Sequence, residues 1–405
     1  MQANKPYYII ITPFFPSPET WRGGYCFDFV KALVGLGRYN VVVFRTGAKA
    51  PYKYKGVSVY PINEIVNPSG VLNIIWQGIN NNIFIRTLDG LGISVDKVAV
   101  VHAYTNNYVR MGYALKKLNP HILLLAHHHD CASFGISVGR LRHFYPLKLL
   151  NFFLARHAHE MADIQVYISQ RVKQSFESFP DTSWTLYQDY KRISWGLHIF
   201  SQVKVKDSYI LHNGVDVDVF SPVVHNRTEV FKIGCVANFV ELKNHITLLK
   251  ALKKIDEKLG RWEFVCVGSG PTLEKCRKFV CENSLQDKVK FMKEIDHLLL
   301  PDFYRSMDLI VLASCFEGFG CVLAEAWSCG TPFIASRGLG IDDLFLPNNR
   351  EKWLCDPFDV DEWADKILSF SIVRPEQELD ATIDIKVLVK NFIDYIEAKR
   401  SRTDA

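Results

Sequence analysis

Short runs of apolar residues recur along the chain and are separated by longer stretches of mixed polarity. A strand that is buried on both faces of a parallel sheet reads as such a continuous run, and several of the intervening stretches are long enough for a helix. The pattern in the first half therefore predicts βα units around a parallel sheet. The predicted strands are Tyr8–Thr12, Val41–Phe44, Val98–His102, Ile122–Ala126 and Ile164–Ile168.

The same alternation begins again in the second half, so the pattern predicts a second set of βα units. Its strands are predicted at Phe231–Val236, Phe264–Val267, Val289–Phe291, Leu309–Ala313 and Phe333–Ala335. Its helices are predicted at Ile246–Leu259, Thr272–Asn283 and Cys321–Ser328.

A chain of 405 residues is long enough for two such domains, because a single domain usually holds about 100–200 residues. We predict an α/β protein of two doubly wound, Rossmann-like domains that face a central cleft, where a large ligand would bind outside the carboxyl ends of the strands. The first domain spans residues 1–212 and the second 229–383. A linker at 213–228 is indicated by the Asn213-Gly214 turn signal and Pro222. A C-terminal helix at 384–405 could return to either domain.

The composition is that of an ordinary globular protein, because 48% of the residues are hydrophobic and 22% are charged. No apolar run approaches the ~18 residues of a membrane-spanning helix, and the N-terminus lacks the basic and then apolar order of a signal peptide. We therefore expect a cytoplasmic protein. Its ten cysteines include no Cys-x-x-Cys pair, so reduced, packed thiols are expected and no metal site is predicted.

The formal net charge of +5 is unevenly distributed. Residues 1–200 hold 21 Lys and Arg against 11 Asp and Glu, which gives +10, while the remaining residues carry −5. This asymmetry favours an anionic partner for the first half, such as a phosphate-bearing substrate or a phospholipid surface, although an unselected scatter of surface charge gives the same count. Two aromatic and basic stretches, Arg140–Tyr145 and Tyr187–Trp195, could rest on anionic lipid. The basic residues form no run that indicates nucleic acid.

The segment Leu309–Ser336 carries the most chemical information. An apolar strand ends at Ser314, a loop carries Glu317-Gly-Phe-Gly320, and a helix begins near Cys321. The glycines let the backbone approach a ligand beside the positive end of a helix, which suits a phosphate. Glu325 lies on a largely apolar helix, where a lone acid is costly without a partner, and its carboxylate suits a vicinal diol such as a ribose. The alternative is that both acids are solvated.

The pattern Glu317-Gly-Phe-Gly-x4-Glu325-Ala, followed by Cys329-Gly-Thr-Pro-x-Ile-Ala-Ser336, resembles the Glu-x7-Glu signature of glycosyltransferase family 4, retaining enzymes of the GT-B fold. Further segments are similar to this family in the same order, and together they cover most of residues 205–370. They are Asn213–Asp216 with Phe220–Pro222, Gly234–Ala251, Val267–Pro271, and Asp302–Tyr304 with Met307-Asp308.

The resemblance implies roles for residues of the second domain. Glu317 would face the transferred sugar, Glu325 would hold the nucleotide ribose, and Lys243 would neutralise the donor diphosphate, although a lysine before a helix can also be an ordinary solvated residue. Where the family usually carries an arginine, this chain has Asn238, which can donate a hydrogen bond but brings no charge. The remaining donor-binding residues predicted here are Gly268, Ser269, Gly318, Phe319 and Gly320.

The first half resembles the family less closely, as an acceptor-side domain would. Gly23-Gly24 precedes a predicted helix and would lie near the donor diphosphate, although a plain turn is the alternative. In the run His127-His128-His129-Asp130, the resemblance implies a histidine that contacts the donor sugar. His129 fits best and His128 next. His102, at the end of another strand, is a lesser candidate for a structural or acceptor-side role.

Together these observations predict a glycosyltransferase that moves a hexose-type sugar from a nucleotide diphosphate donor to a saccharide or lipid-linked acceptor, with catalytic roles for Glu317, His129 and Lys243. No metal is required in this interpretation, although Asp216-Val-Asp218 and Asp359-Val-Asp361 match the Asp-x-Asp signature of the other large nucleotide-sugar transferase fold. Two alternatives stay open. One is a phosphorylase or epimerase on the same fold, and the other is a non-catalytic nucleotide-sugar-binding protein, which Asn238 favours slightly.

Overall fold

The computed structural model describes residues 5–18, 20–21, 23–64, 73–104, 106–129, 135–138, 145–177, 197–200, 203–223 and 229–403. The chain divides into two compact units. Unit 1 holds the described residues up to Asn213 together with those from Ile385 onward, and unit 2 holds those of Gly214–Asp384. Each unit is built on one main sheet with helices between successive strands. The chain is therefore an α/β protein with two Rossmann-like units.

Unit 1 contains an eight-stranded sheet with the order β10-β8-β6-β5-β1-β2-β4-β3, in which β3 alone runs antiparallel to its neighbour. The strands are β1 Tyr7–Thr12, β2 Asn40–Thr46, β3 Tyr52–Tyr54, β4 Val57–Ile62, β5 Val98–Tyr104, β6 Leu123–His128, β8 Ile164–Tyr167 and β10 Ser208–Ile210. A separate antiparallel pair consists of β7 Gly135–Val138 and β9 Leu197–Phe200. The helices are Gly24–Leu36, Asn73–Gly90, Asn106–Leu118, Tyr145–Met161, Gln170–Glu177 and Ile385–Thr403.

The sheet of unit 1 is covered on both faces, as its continuous apolar strands require. On one face, Phe29 and Val30 of the first helix and Phe392 and Ile393 of the C-terminal helix pack over the strands. On the other face, the helices Asn73–Gly90 and Asn106–Leu118 contribute a second buried cluster. The C-terminal helix therefore belongs to the core of unit 1, although the chain reaches it from unit 2.

Unit 2 contains a fully parallel, six-stranded sheet with the order β13-β12-β11-β14-β15-β16. The strands are β11 Phe231–Val236, β12 Trp262–Val267, β13 Val289–Met292, β14 Leu309–Leu312, β15 Phe333–Ser336 and β16 Leu354–Cys355. The helices are His245–Ile255, Leu273–Glu282, Leu300–Arg305, Cys321–Ser328, Pro347–Trp353 and Val360–Val373. This order is the doubly wound arrangement that the apolar pattern predicted.

The start of unit 2 packs onto its own domain. Ser328 Oγ donates a hydrogen bond to the carbonyl oxygen of Phe220, and Arg305 Nε donates one of 2.9 Å to the carbonyl oxygen of Ser221. Residues Gly214–Val223, which lie within the predicted linker at 213–228, are therefore part of unit 2. The nine cysteines in the described part of the chain are all free thiols.

Candidate functional site

The order of strands in unit 2 reverses between β11 and β14. From β11 the chain proceeds outward to β12 and β13, and it then returns to the opposite side through β14, β15 and β16. At such a reversal the loops after the two adjacent strands diverge, which leaves a crevice at the carboxyl edge of the sheet. Asn238 and Lys243 follow β11, and Glu317 follows β14. The sheet topology therefore brings three predicted site residues to this edge.

Lys243 and Glu317 form an ion pair across this edge. Lys243 Nζ contacts Glu317 Oε1, which also accepts a 3.2 Å hydrogen bond from Ser314 Oγ. The two side chains are 21% and 18% exposed, so the pair is largely shielded from water. The backbone N–H of Cys315 donates a 2.8 Å hydrogen bond to the carbonyl oxygen of Leu242, which joins the two loops directly. The positive charge of Lys243 at this edge is thus already paired with a carboxylate.

The loop that carries Glu317 is held by a close backbone contact with Gly340. A Cβ atom at position 340 would lie 1.9 Å from the carbonyl oxygen of Gly318, so only glycine fits there. Phe319 is buried and leaves only its backbone for a ligand, while Gly320, with φ of 95°, occupies the N-cap of the helix Cys321–Ser328. Gly340 was not predicted from the sequence, because the glycine lies outside the signature and its partner is distant in sequence.

Glu325 lies in the middle of that helix and is held by polar partners from another element. Tyr304 Oη donates a 2.8 Å hydrogen bond to Glu325 Oε2, and His297 Nε2 lies 3.8 Å from Oε1. Burial raises the pKa of Tyr304 well above its usual value, so its hydroxyl stays protonated and can donate. The side chain of Glu325 is 14% exposed. These partners explain how an acid is tolerated on an apolar helix, and neither was predicted from the sequence.

The glycines after β12 allow a close approach of two loops. A Cβ atom on Gly268, whose φ is 148°, would lie 2.2 Å from the carbonyl oxygen of Ala237, and Ser269 accepts a 2.8 Å backbone hydrogen bond from Phe239. Ser269 Oγ also donates to Glu294 at 2.6 Å. Asn238 is exposed at the same edge. The predicted donor-binding residues Gly268, Ser269 and Asn238 therefore lie together at this edge, and Gly268 has a structural role as well.

In unit 1 the three consecutive histidines are divided between two faces of the sheet, as the alternation of side chains on a strand requires. His127 and His129 stack on each other with ring centroids 4.4 Å apart, and both line a small pocket with Tyr25 and Tyr104. His128 points to the other side, where its Nε2 lies 2.8 Å from Gln165 Oε1. Burial lowers the pKa of His129 to about 3, so this side chain is neutral at physiological pH.

Gly23 and Gly24 lie at the start of the first helix of unit 1, where the backbone leaves no room for a side chain. A Cβ atom on Gly23, whose φ is 90°, would lie 2.5 Å from the carbonyl carbon of Phe14, and one on Gly24 would lie 2.2 Å from the ring of Trp21. The N–H of Gly24 donates a 3.0 Å hydrogen bond to the carbonyl oxygen of Trp21. These two glycines therefore shape the turn after β1, and the Gly24 donor is already engaged within it.

The two Asp-x-Asp segments have local structural roles. Asp216 is buried and its carbonyl oxygen accepts backbone hydrogen bonds in the turn before Phe220, while Asp359 caps the helix Val360–Val373 by accepting from the N–H groups of Asp361 and Glu362. Across the described ranges, no group of three or more His, Cys, Asp or Glu side chains is arranged to hold a metal ion. Within the same ranges, no helix has the length and apolar content that crossing a bilayer requires.

The segment that carries this site is similar to known proteins. Residues 218–379 match the family model described as glycosyl transferases group 1. The D-inositol 3-phosphate glycosyltransferase of Mycolicibacterium smegmatis is 30% identical over 167 residues, which are 39% of this chain and 38% of that protein. The GDP-mannose-dependent alpha-(1-6)-phosphatidylinositol monomannoside mannosyltransferase of Mycobacterium tuberculosis is 29% identical over 177 residues, 40% of this chain and 46% of that protein. The chain thus spans half or less of the length of the curated relatives it matches.

The likeness in fold extends further than the likeness in sequence. The crystal structure of Anabaena Alr3699/HepE in complex with UDP and glucose superimposes with a TM-score of 0.63 over 97% of this chain and all of that one, at 14% identity. These matches confirm the predicted resemblance to glycosyltransferase family 4 and the GT-B fold class with two Rossmann-like domains.

Proposed function

We propose that this chain, whose residues 218–379 match the family model of the group 1 glycosyltransferases, moves a hexose-type sugar from a nucleotide diphosphate donor to a hydroxyl group, with retention of configuration. The ion pair of Lys243 and Glu317 supports this proposal most directly. It lies where the strand order of unit 2 reverses, which is where open α/β sheets bind nucleotides. A lysine at this position suits an anionic leaving group. A neighbouring carboxylate suits the hydroxyl groups of a sugar.

We assign donor roles to residues of both units. In unit 2, Lys243 and the backbone N–H groups of Phe319 and Gly320 would bind the diphosphate, while Glu325 would accept hydrogen bonds from the ribose. Glu317 would face the transferred sugar, with Asn238, Gly268, Ser269 and Gly318 beside it. In unit 1, Gly23 and Gly24 would approach the diphosphate and His129 the sugar. Because Asn238 is neutral, the positive charge that this site offers to the diphosphate comes from Lys243 and the helix N-terminus.

The proposed chemistry follows from these charges. The bond between the anomeric carbon and the diphosphate oxygen breaks, and the acceptor oxygen bonds to the anomeric carbon on the same face. The diphosphate gains negative charge as it departs, so a preorganised positive environment stabilises the transition state. The departing phosphate oxygen takes the proton of the acceptor hydroxyl. No separate strong base is then needed. This agrees with His129, whose pKa burial lowers to about 3, so that it would be a weak base.

A saccharide or lipid-linked acceptor, in cell-envelope polysaccharide or glycolipid synthesis, is the second part of the proposal. One relative is named for its action on a phosphatidylinositol mannoside, and the charge of +10 in residues 1–200 favours an anionic surface. The two aromatic and basic stretches, Arg140–Tyr145 and Tyr187–Trp195, lie almost entirely outside the described residues. Flotation with phosphatidylglycerol vesicles should show binding at low salt that is lost at high salt. Absence of binding at low salt would contradict the proposed contact with an anionic membrane.

A thermal-shift screen with UDP, GDP, ADP and their common sugar conjugates tests the donor site. A ligand that binds the native state raises its apparent stability, so one nucleotide family should raise the Tm of the wild type, and Lys243→Ala and Glu325→Ala should weaken that rise. Stabilisation without transfer to a broad acceptor panel would favour a non-catalytic binding protein. Release of a sugar phosphate or of an isomerised nucleotide sugar would favour a phosphorylase or an epimerase. If no nucleotide stabilises the chain, the donor assignment is wrong.

A further inference from the structure

One helix of unit 1 carries large apolar side chains on its outer face as well as on its inner one. The helix Tyr145–Met161 packs into the unit on the side of Phe152, which is buried. On the outer side, Leu150, Phe153 and Leu154 are 49%, 49% and 38% exposed, and their spacing places them on one stripe of the helix. We call these three residues the apolar stripe. Single exposed apolar residues are ordinary, whereas adjacent ones on one face mark a surface for interaction.

The neighbouring helix, which follows β5, places basic and amphipathic side chains beside the apolar stripe. Arg110 Nη1 donates a 2.6 Å hydrogen bond to Oδ1 of Asn151, which is adjacent to the stripe in sequence. Tyr113 Oη lies 3.2 Å from His157 Nε2, and Lys117 Nζ lies 4.8 Å from the centre of the Tyr113 ring. The stripe is therefore bordered by two cations and an aromatic hydroxyl on one side.

The charge of this face is positive. Burial lowers the pKa of Arg110, as expected of a cation without a counter-charge. Neither Arg110 nor Lys117 forms an ion pair with an acidic side chain in the ranges that the structure describes. The one acid of the helix Tyr145–Met161 is Glu160, which is paired with Arg156 at 3.0 Å. This helix and its two neighbours on the same face of the sheet hold six Lys and Arg against two Asp and Glu, a net charge of +4.

We propose that the apolar stripe enters the interface of an anionic phospholipid membrane, with Arg110 and Lys117 binding lipid phosphates. This inference rests on the membrane part of the proposed function and deepens it by naming the surface. Three apolar side chains alone give weak binding, so the attraction of basic residues to anionic lipid supplies the rest of the affinity. A second copy of the chain is disfavoured as the occupant, because it would bring the same positive charge against this face.

Flotation with mixed phosphatidylglycerol and phosphatidylcholine vesicles tests the apolar stripe. Leu150→Ser and Phe153→Ser leave the charge unchanged, and each should weaken binding about tenfold because an apolar side chain no longer leaves water. Val34→Ser is the matched control, since Val34 is also 49% exposed but lies on the helix that covers the opposite face of the sheet. All three variants should keep the Tm of the wild type. Equal binding of the wild type and Phe153→Ser would overturn the proposed surface while the membrane contact itself stands.

The two cations are tested by lipid composition and by neutralisation. The wild type should not float with phosphatidylcholine alone. Lys117→Gln should weaken binding to the mixed vesicles about fivefold at low salt, because a basic residue near an anionic surface contributes on the order of 1 kcal/mol. Lys275→Gln, an exposed lysine of unit 2, should bind as the wild type does. Equal binding to phosphatidylcholine alone would overturn the role of anionic lipid.

Hydrogen exchange of the full chain locates the contact without any substitution. Peptides of the helix Tyr145–Met161 should exchange more slowly when mixed vesicles are present, and those of Gly24–Leu36 should not change. Sedimentation without lipid tests the other occupant: a dimer that Phe153→Ser dissociates would assign the stripe to a second copy and overturn the proposal. If the wild type binds no vesicle, this inference and the membrane contact both fail, whereas the nucleotide screen still reports the donor site separately.

Discussion

The hydroxyl of Tyr304 donates a 2.8 Å hydrogen bond to Glu325 Oε2, which fixes the orientation of the carboxylate proposed to bind the ribose. An ionised carboxylate offers about four acceptor sites on its two oxygens, so one donor leaves enough capacity for both hydroxyls of a diol. Tyr304 is itself buried, and its carbonyl oxygen accepts a 2.7 Å hydrogen bond from Thr331. The acid is thus oriented before a nucleotide arrives, which lowers the cost of ordering it on binding.

Recognition of the ribose predicts a specific loss with a modified nucleotide. The wild type should bind the 2′,3′-dideoxy form of its preferred nucleotide about 10- to 100-fold more weakly, because hydrogen bonds to a charged group contribute roughly 1.5–3 kcal/mol. Glu325→Ala should bind both forms of the nucleotide equally, with about the affinity that the wild type has for the dideoxy form. Isothermal titration calorimetry measures all four affinities. Glu282→Ala, which removes an exposed carboxylate, should behave as the wild type. Discrimination that persists in Glu325→Ala would exclude a ribose role for this residue.

The two members of the Lys243 and Glu317 ion pair should respond in opposite ways to neutralisation. Lys243→Gln removes the positive charge and should weaken binding of the nucleoside diphosphate about 10- to 100-fold, with little effect on the nucleoside. Glu317→Gln releases Lys243 from a competing carboxylate. Its affinity for the diphosphate should be equal to or higher than that of the wild type, while turnover should fall on the order of 100-fold.

The control for this pair is Lys275→Gln, which neutralises an exposed lysine that pairs with Glu241 in the same unit. Its nucleotide affinity should not change, since exposed ion pairs contribute little. If both Lys243→Gln and Glu317→Gln weaken binding equally, the pair has only a structural role, because a partly buried charge left without its partner destabilises the loops from either side.

The alternation of apolar runs was sufficient to predict ten strands of the two main sheets that the structure describes, and it missed β3, β4, β10 and β16. In β4, Ser58 and Pro61 interrupt the apolar residues. Strands β3, β10 and β16 are only two or three residues long, so they leave no apolar run to recognise. Candidate site residues that are neighbours in sequence, such as Glu317-Gly-Phe-Gly320, could be named from the sequence. Contacts between residues that are distant in sequence could not. Tyr304 for Glu325 and Gly340 for Gly318 are such cases, since no periodicity connects residues that the fold alone brings together.

Gly340→Ala tests whether the position of the Glu317 loop controls the site. The added methyl group would meet the Gly318 carbonyl oxygen, so the loop or its support must shift. Because a small misplacement of reacting groups can cost about 10²-fold, turnover should fall at least tenfold, together with a lower Tm. Gly35→Ala is the matched control. Its Cβ meets open space on a helix, where alanine is favoured, so activity should be unchanged and the Tm equal or slightly higher.

The buried histidines predict that acid destabilises unit 1. Burial lowers the pKa of His102, His129 and His159 to about 3 and that of His128 to about 4. In the unfolded chain these groups titrate near 6.5, so between their folded pKa values and 6.5 the unfolded state binds more protons. Stability is therefore full above pH 6.5 and falls as the pH decreases below it. Each histidine contributes a slope of about 1.4 kcal/mol per pH unit.

In the described part of unit 2, His245 is the one comparable group, and its pKa is lowered to about 4 by burial and by Lys243. Acid should therefore affect the two units unequally. Urea unfolding at pH 7.5, 6.5 and 5.5, followed by hydrogen exchange and mass spectrometry, reports peptides of each unit separately. We expect the midpoint for unit 1 to fall more steeply than that for unit 2. Equal midpoints at the three pH values would contradict this, as would a larger loss in unit 2.

A single substitution tests whether the slope arises from these histidines. His159 is buried and its Nδ1 lies 3.4 Å from Gln165 Oε1. His159→Gln removes one group that must be neutral in the folded state, so the loss of stability of unit 1 between pH 6.5 and 5.5 should decrease by about 1 kcal/mol, whatever the effect of the substitution on stability at pH 7.5. His121→Gln, at an exposed position, should leave the slope unchanged. The comparison of slopes separates a titration effect from a loss of packing, because lost packing lowers stability equally at every pH.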